Sequence, residues 1–176
     1  MSFEDHLLPI DAAFRAERMG YAIIGAYAVA TWGAVRGTRD LDILIETEAV
    51  TRIAKALERS GYSVELRTGD ADDPIGTVVR AQSGSGEELQ QIDIVAGIRG
   101  APPGIVARAR PVRLASVTVP VASPEDIIVL KLLAGSPQDL EDIRGIVRMQ
   151  GDRLARRLVT EMCPSPLQAT LDTLLS

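Results

Sequence analysis

The chain has 176 residues, 46% of them hydrophobic, with a formal net charge of −5 and a single cysteine, Cys163. That length suits one core burying roughly 70% of the unfolded surface, while the acidic balance supplies no overall basic field for non-specific DNA binding or for an anionic membrane, and one cysteine excludes an intramolecular disulfide. The opening "MSFEDHLLPIDAAF" lacks the basic start and apolar run of a signal peptide, and no apolar run approaches the ~20 residues of a membrane span, so a cytoplasmic protein without membrane contact is expected.

In chain order, residues 10–19 pattern as a short amphipathic helix, with Pro9 near its start and Gly20 at its end. "YAIIG" reads as a short apolar strand ending at Gly25, and "AYAVATWG" as a helix stopped at Gly33. A strand is predicted over about 38–46, then a helix across "ETEAVTRIAKALERSG", with Ile53, Ala54 and Leu57 on one face and Gly61 closing it. Strands at 62–67, 77–81 and 89–96 are separated by "TGDADDPIG" and "QSGSGEE", which carry turn and loop chemistry. Past residue 100 a short helix and a hairpin over about 112–121 lead to "SPEDIIVLKLLAG". Its helix takes Ser123 as N-cap, Pro124 at its first position, Glu125 and Asp126 at its positive end, and Gly135 as its stop. Helices at 137–150, 152–161 and 165–175 complete the chain. The pattern predicts an α/β fold with a small mixed sheet flanked by helices and a helical C-terminal part. It forms one domain over 1–176, with the sheet in 1–121 and the helical part in 122–176.

Two acids interrupt an apolar strand in "RGTRDLDILIE". Side chains alternate along a strand, so Asp40 and Asp42 share one face and Leu41 and Ile43 the other. Converging carboxylates supply hard oxygen ligands of the kind that hold Mg²⁺; the triplet alone reads better as an acidic strand end reaching solvent. Asp93, between Ile92 and Ile94 in "ELQQIDIVAG", is a second acid in an apolar run. If the two strands pair side by side, Asp40, Asp42 and Asp93 form a cluster able to hold two metal ions for displacement at phosphorus. The turn in "IIGAY" brings a strand, Gly25 and a helix start into the order in which backbone N–H groups near Gly25 and Ala26 receive phosphate oxygens.

These blocks resemble the nucleotidyltransferase superfamily that shares its palm with DNA polymerase beta. Its signature is a Gly-Ser or Gly-Gly pair, an acid-hydrophobic-acid triplet ten or more residues on, and a third acid on a later strand. Here Gly25-Ala26, Asp40-Leu41-Asp42 and Asp93 stand in that order. "GAYAVATWGAVRGTRDLDILI" and "ASPEDIIVLKLLAGSPQDLEDI" are similar to two blocks of the small bacterial nucleotidyltransferases of toxin-antitoxin and abortive-infection systems, and the likeness spans residues 21 to about 147. The resemblance implies a palm fold and transfer of a nucleoside monophosphate from an NTP, with ATP as the expected donor, to a hydroxyl on RNA, protein or a small molecule, with Mg²⁺ or Mn²⁺ as cofactor. It gives Gly25 and Ala26 to the triphosphate, Asp40, Asp42 and Asp93 to the metal ions, and to Asp93 also the acceptor's proton. It also implies a cognate toxin or antitoxin as a possible partner. Ala26 lacks a serine hydroxyl, and Ser136 and Gln138 stand where relatives often carry basic residues. Both departures favour the alternative of a catalytically quiet module that binds nucleotide or a partner, while the acid triad Asp40, Asp42 and Asp93 favours the enzyme.

Lys131, alone in "VLKLL", reads either as a phosphate contact or as a lysine snorkelling from a half-exposed helix. Arg36 and Thr38 lie at the mouth of the acidic strand and are candidates for phosphate or base contacts. Asp139 and Asp142 read as structural, the first as a helix cap and the second as surface charge beside Arg144. Cys163 reads as a structural thiol, and His6, the single histidine, offers no histidine-based mechanism. Arg99, Arg108, Arg110 and Arg113 form one acid-free stretch and Arg153, Arg156 and Arg157 a second, each a possible dock for an anionic acceptor.

Overall fold

The computed structural model describes residues 3–33, 41–70, 72–84, 90–114 and 116–175. In chain order the elements are α1 (Phe3–Ala16), β1 (Ala22–Ile23), α2 (Gly25–Trp32), β2 (Leu41–Leu44), α3 (Val50–Arg59), β3 (Ser63–Thr68), β4 (Ile75–Ser83), β5 (Gln90–Ile98), α4 (Ile105–Arg108), β6 (Arg110–Leu114), β7 (Val117–Val121), α5 (Pro124–Ala134), α6 (Pro137–Gln150), α7 (Arg156–Met162) and α8 (Gln168–Leu175). The helix expected at 10–19 starts earlier and contains Pro9. Leu7, Ile10 and Phe14 recur at helical spacing and are fully buried, whereas Leu8 and Pro9 face solvent. A proline on the exposed side is tolerated because one apolar stripe holds the helix. Phe14 also stacks on Tyr21, with ring centroids 4.4 Å apart.

The strands form one mixed sheet in the order β3-β4-β5-β2-β1-β7-β6. β2 lies parallel to β5 and β1 parallel to β7; the other neighbours run antiparallel. Register sorts the side chains. Leu41 and Ile43 match Ile92 and Ile94, which match Ala81 and Val79, and all six are buried as one apolar face. The opposite face carries Asp42, Asp93 and Arg80 in one row. α1 and α3 pack together, with α3 reaching β3 and β4 and α1 reaching β7.

After Val121 the described chain is helical. α5 opens as expected: the Ser123 hydroxyl accepts from the Asp126 N–H at 3.1 Å, and Pro124 follows the cap. Gly135 takes the left-handed conformation that ends the helix, φ 68°, and its N–H donates to the Lys131 carbonyl. α6 begins with a reciprocal capping box between Ser136 and Asp139. The helix predicted at 152–161 is instead a 3₁₀ turn, Gly151–Arg153, followed by α7, because the Ala155 N–H donates to Glu125 Oε1 at 3.0 Å and the chain turns there. Likewise 165–175 divides into a 3₁₀ turn, Ser165–Leu167, and α8. Among the described residues no helix is long and apolar enough to cross a membrane.

Candidate active site

The site grows out of two main-chain contacts. β1 ends at Ile23, and the next residue, Ile24, donates its N–H to the Asp42 carbonyl at 2.9 Å, which brings the start of α2 against β2. Gly25, the first residue of α2, has φ 62°, a conformation that L side chains rarely adopt. The space is closed to them too. A Cβ at this position would lie 2.0 Å from Asp42 Oδ2 and 2.8 Å from its Cγ. The glycine therefore lets the backbone of a helix N-terminus approach a carboxylate directly.

The parallel pairing of β2 and β5 puts Asp42 opposite Asp93. Asp93 is held: Arg80 on β4, its register partner on the other side, donates Nε and Nη2 to the two carboxylate oxygens at 2.8 and 2.9 Å, and Gln91 Nε2 lies 3.4 Å from Oδ2. The side chains of Arg80 and Asp93 are 29% and 20% exposed, a partly buried pair. Sequence reasoning missed Arg80. A lone arginine in a strand has no local mark of function, and only the β4–β5 register shows its partner.

Asp42 and Gly25 line a cavity of about 440 Å³ between the sheet and α5. Its walls are mostly apolar, from Ile24, Ile75, Val95, Ile127, Leu130 and Leu133, with Lys131 and Arg99 as the basic residues. Lys131 faces other acids, however: Nζ lies 2.7 Å from Asp139 Oδ1 and 3.0 Å from Asp142 Oδ2. Asp142 is thus buried, not surface charge beside Arg144, whose partner is Glu141. Burial pushes the Asp139 carboxyl upward, but the hydrogen bonds from Lys131 and Ser136 outweigh it and hold the group below the ordinary carboxylate range. Ala26 is the second residue of α2. Asp40, Arg36 and Thr38 lie outside the described residues.

The donor chemistry fits a divalent cation: two hard carboxylates in register on one sheet face, beside a glycine cradle that a Cβ would fill. Among the described residues no group of three or more His, Cys, Asp and Glu side chains is placed to hold a metal ion. The arginine stretches expected to dock an anionic acceptor have other partners. Arg108 pairs with Asp126 and Arg110 with Glu125, both acids fully buried on α5; Arg110 also lies 5.8 Å from the Trp32 ring centre. Arg99 donates to the Asp73 carbonyl, Arg153 to that of Met149 and Arg156 to that of Leu175, while Arg157 pairs with Glu161. Burial, and then the charge of Asp172, raise the Cys163 thiol pKa above its ordinary value, in line with a structural thiol.

Known proteins share this arrangement of elements. The chain is 18% identical to ANT(2")-Ia, solved in complex with adenylyl-2"-tobramycin, with a TM-score of 0.61 over 98% of each chain. It is 18% identical to the lincosamide antibiotic adenylyltransferase LnuA, solved with lincomycin bound, with a TM-score of 0.52 over 86% of this chain and 98% of that one. TM1012 of Thermotoga maritima, described as a candidate nucleotidyltransferase, is 17% identical with a TM-score of 0.58 over 84% and 96% of the two chains. At such identities the likeness is one of fold. No curated protein matches the sequence. A family model does match, over residues 7–164, which takes in the Gly25 turn, both described acidic strands and α5: the chain belongs to the family described as nucleotidyl transferase of unknown function, DUF2204.

Proposed function

We propose that this protein transfers a nucleoside monophosphate, AMP from ATP in the first instance, to a hydroxyl of a small molecule and releases pyrophosphate. The observation that carries the reading is the contact of Gly25 with Asp42, in register with Asp93, on the wall of a cavity. The opening N–H groups of a helix have no partner within it and carry its positive end, so Gly25 and Ala26 orient the triphosphate. Asp42 and Asp93, with Asp40, hold Mg²⁺ or Mn²⁺, which when bound supplies neutralisation of the phosphate charge. Asp93 takes the acceptor's proton as its oxygen bonds to the α-phosphorus and the bond from that phosphorus to the bridging oxygen breaks. Catalysis of this kind is mostly positioning and charge compensation.

The cavity supports a small acceptor. About 440 Å³ with apolar walls lies in the range of small-ligand sites. Arg108 and Arg110 hold buried acids of the chain itself, and Arg99 holds one of its carbonyls. Two fold neighbours were solved with adenylyl-2"-tobramycin and with lincomycin; both bear small-molecule names, which agrees with this class of acceptor.

The test is incubation of the purified protein with each α-labelled NTP, Mg²⁺ or Mn²⁺, and a host extract divided into small-molecule, RNA and protein fractions. Label should pass from ATP into the small-molecule fraction, and Asp42→Asn should abolish it. Label in RNA or protein would reject the small acceptor. Nucleotide binding without transfer to any fraction would leave the binding module of the same fold.

A further inference from the structure

Four neighbouring strands place their charged residues in a single row. Glu65 on β3 is in register with Arg80 on β4, Arg80 with Asp93 on β5, and Asp93 with Asp42 on β2. Register partners share a face, and neighbouring strands lie about 4.8 Å apart, so the row reads acid, base, acid, acid in steps that side chains can span. The base pairs with the acid on β5. Arg80 covers both oxygens of Asp93 with two parallel hydrogen bonds, the planar fork that makes an arginine–carboxylate pair strong. Glu65 meanwhile accepts from Arg67 on both oxygens, at 2.8 and 3.3 Å, and this pairing lowers its pKa, with the more distant charge of Arg80 adding to the effect.

A carboxylate that accepts a guanidinium on both oxygens keeps one lone pair on each, but its charge is already neutralised, so it draws a cation less strongly. We propose that Arg80 is a positioning residue that holds Asp93 when no divalent cation is bound and turns to Glu65 when a cation takes that carboxylate, so that the Arg80–Asp93 pair sets the affinity of the site for metal. The inference rests on the reading of Asp42 and Asp93 as cation ligands. Asp93 is compensated at each end of the exchange. The cation replaces Arg80 in neutralising Asp93, and Arg80 keeps an acidic neighbour in its own register row. Space also permits it, since the Arg80 side chain is 29% exposed and that of Glu65 56%.

The experiment is a Mn²⁺ titration followed by the electron paramagnetic resonance of the free ion, with near-ultraviolet circular dichroism to show that each variant is folded. Arg80→Gln should bind Mn²⁺ about tenfold tighter than wild type, as expected when a charge-assisted pair no longer competes. Arg80→Lys, which keeps the charge without the fork, should fall between. Arg67→Gln removes an equal charge one strand further out and also frees Glu65 to receive Arg80, so it should tighten binding by only about twofold, well short of Arg80→Gln. Glu65→Gln should weaken binding about threefold, and have no effect once Arg80 is Gln, because the two act through one exchange. Unchanged or weaker binding in folded Arg80→Gln overturns the proposal, as does equal tightening in Arg67→Gln, which marks a general charge effect. Asp93→Asn separates this inference from the reading beneath it. If Asp93→Asn abolishes Mn²⁺ binding while Arg80→Gln leaves it unchanged, only the role of Arg80 falls. If Asp93→Asn keeps wild-type affinity, Asp93 is not a ligand and both fall together.

Discussion

Gly25 shows how a single residue can decide whether the site exists. The peptide before it is tied to the Asp42 carbonyl, φ is positive, and the volume of a methyl group is already taken by the Asp42 carboxylate. Gly25→Ala must therefore strain the backbone, push Asp42 aside or undo the contact between α2 and β2. We expect a stability loss of about 1–3 kcal/mol. Mn²⁺ affinity and nucleotide transfer should fall more than tenfold, beyond what the lost stability explains in a protein still folded at the assay temperature. Denaturant melts beside the Mn²⁺ titration check this; a fully active, equally stable variant would show that the approach of backbone to carboxylate is not what makes the site. Gly25 and Asp42 were legible because each breaks the pattern of its own segment. Arg80 breaks none, and its role depends on a register set by strands separated in the chain.

At the scale of elements, α5 and α6 are joined by Lys131, Asp139 and Asp142, a partly buried cation between two acids across the Gly135 turn. The two readings of Lys131 as a phosphate contact or a snorkelling residue both overlooked this pairing, because the acids belong to the next helix. Asp139 is also the returning arm of the α6 capping box. Asp139→Asn should cost about 1–2 kcal/mol near neutral pH. The pH dependence has a defined sign. The folded-state pKa is lowered from the ordinary 3.8, so between the two values the unfolded chain binds more protons, and stability falls as pH falls through that window. The gap between wild type and Asp139→Asn should hold above pH 4 and close as the pH drops further. Urea melts from pH 7 down to acid measure it. A gap unchanged at the lowest pH would mean that the charge of Asp139 plays no part.

For the whole molecule, two fully buried acids at the first turn of α5 tie the helical part to the sheet. Glu125 accepts from Arg110 at the start of β6 and from the Ala155 N–H ahead of α7, and Asp126 accepts from Arg108. Glu125→Ala leaves the Ala155 N–H without this partner and opens space beneath α5, for a cost of about 2–4 kcal/mol. Because these contacts cross between sheet and helices, the loss should lower one common unfolding transition. Circular dichroism and the fluorescence of Trp32, which bonds the Ala122 carbonyl, should report the same midpoint. Separate midpoints would show that sheet and helices unfold apart.

What the sequence determined by itself follows from local physics. Apolar periodicity and capping chemistry placed most helices and strands, because the spacing of side chains on one element depends only on its own residues. The acids at 42 and 93 stood out because a carboxylate in an apolar run needs a cause. Together with the Gly25 turn and the α5 block they carried the family. Other features came only with the tertiary structure. Arg80 meets Asp93 across 13 positions, Arg110 meets Glu125 across 15 and Arg108 meets Asp126 across 18. Those pairs gave two arginines of an apparent basic stretch buried acidic partners, and gave a predicted metal ligand a resident cation. Coulomb attraction acts through space, so a charge whose partner lies on another strand or helix shows its role only after the backbone pairing has set their separation.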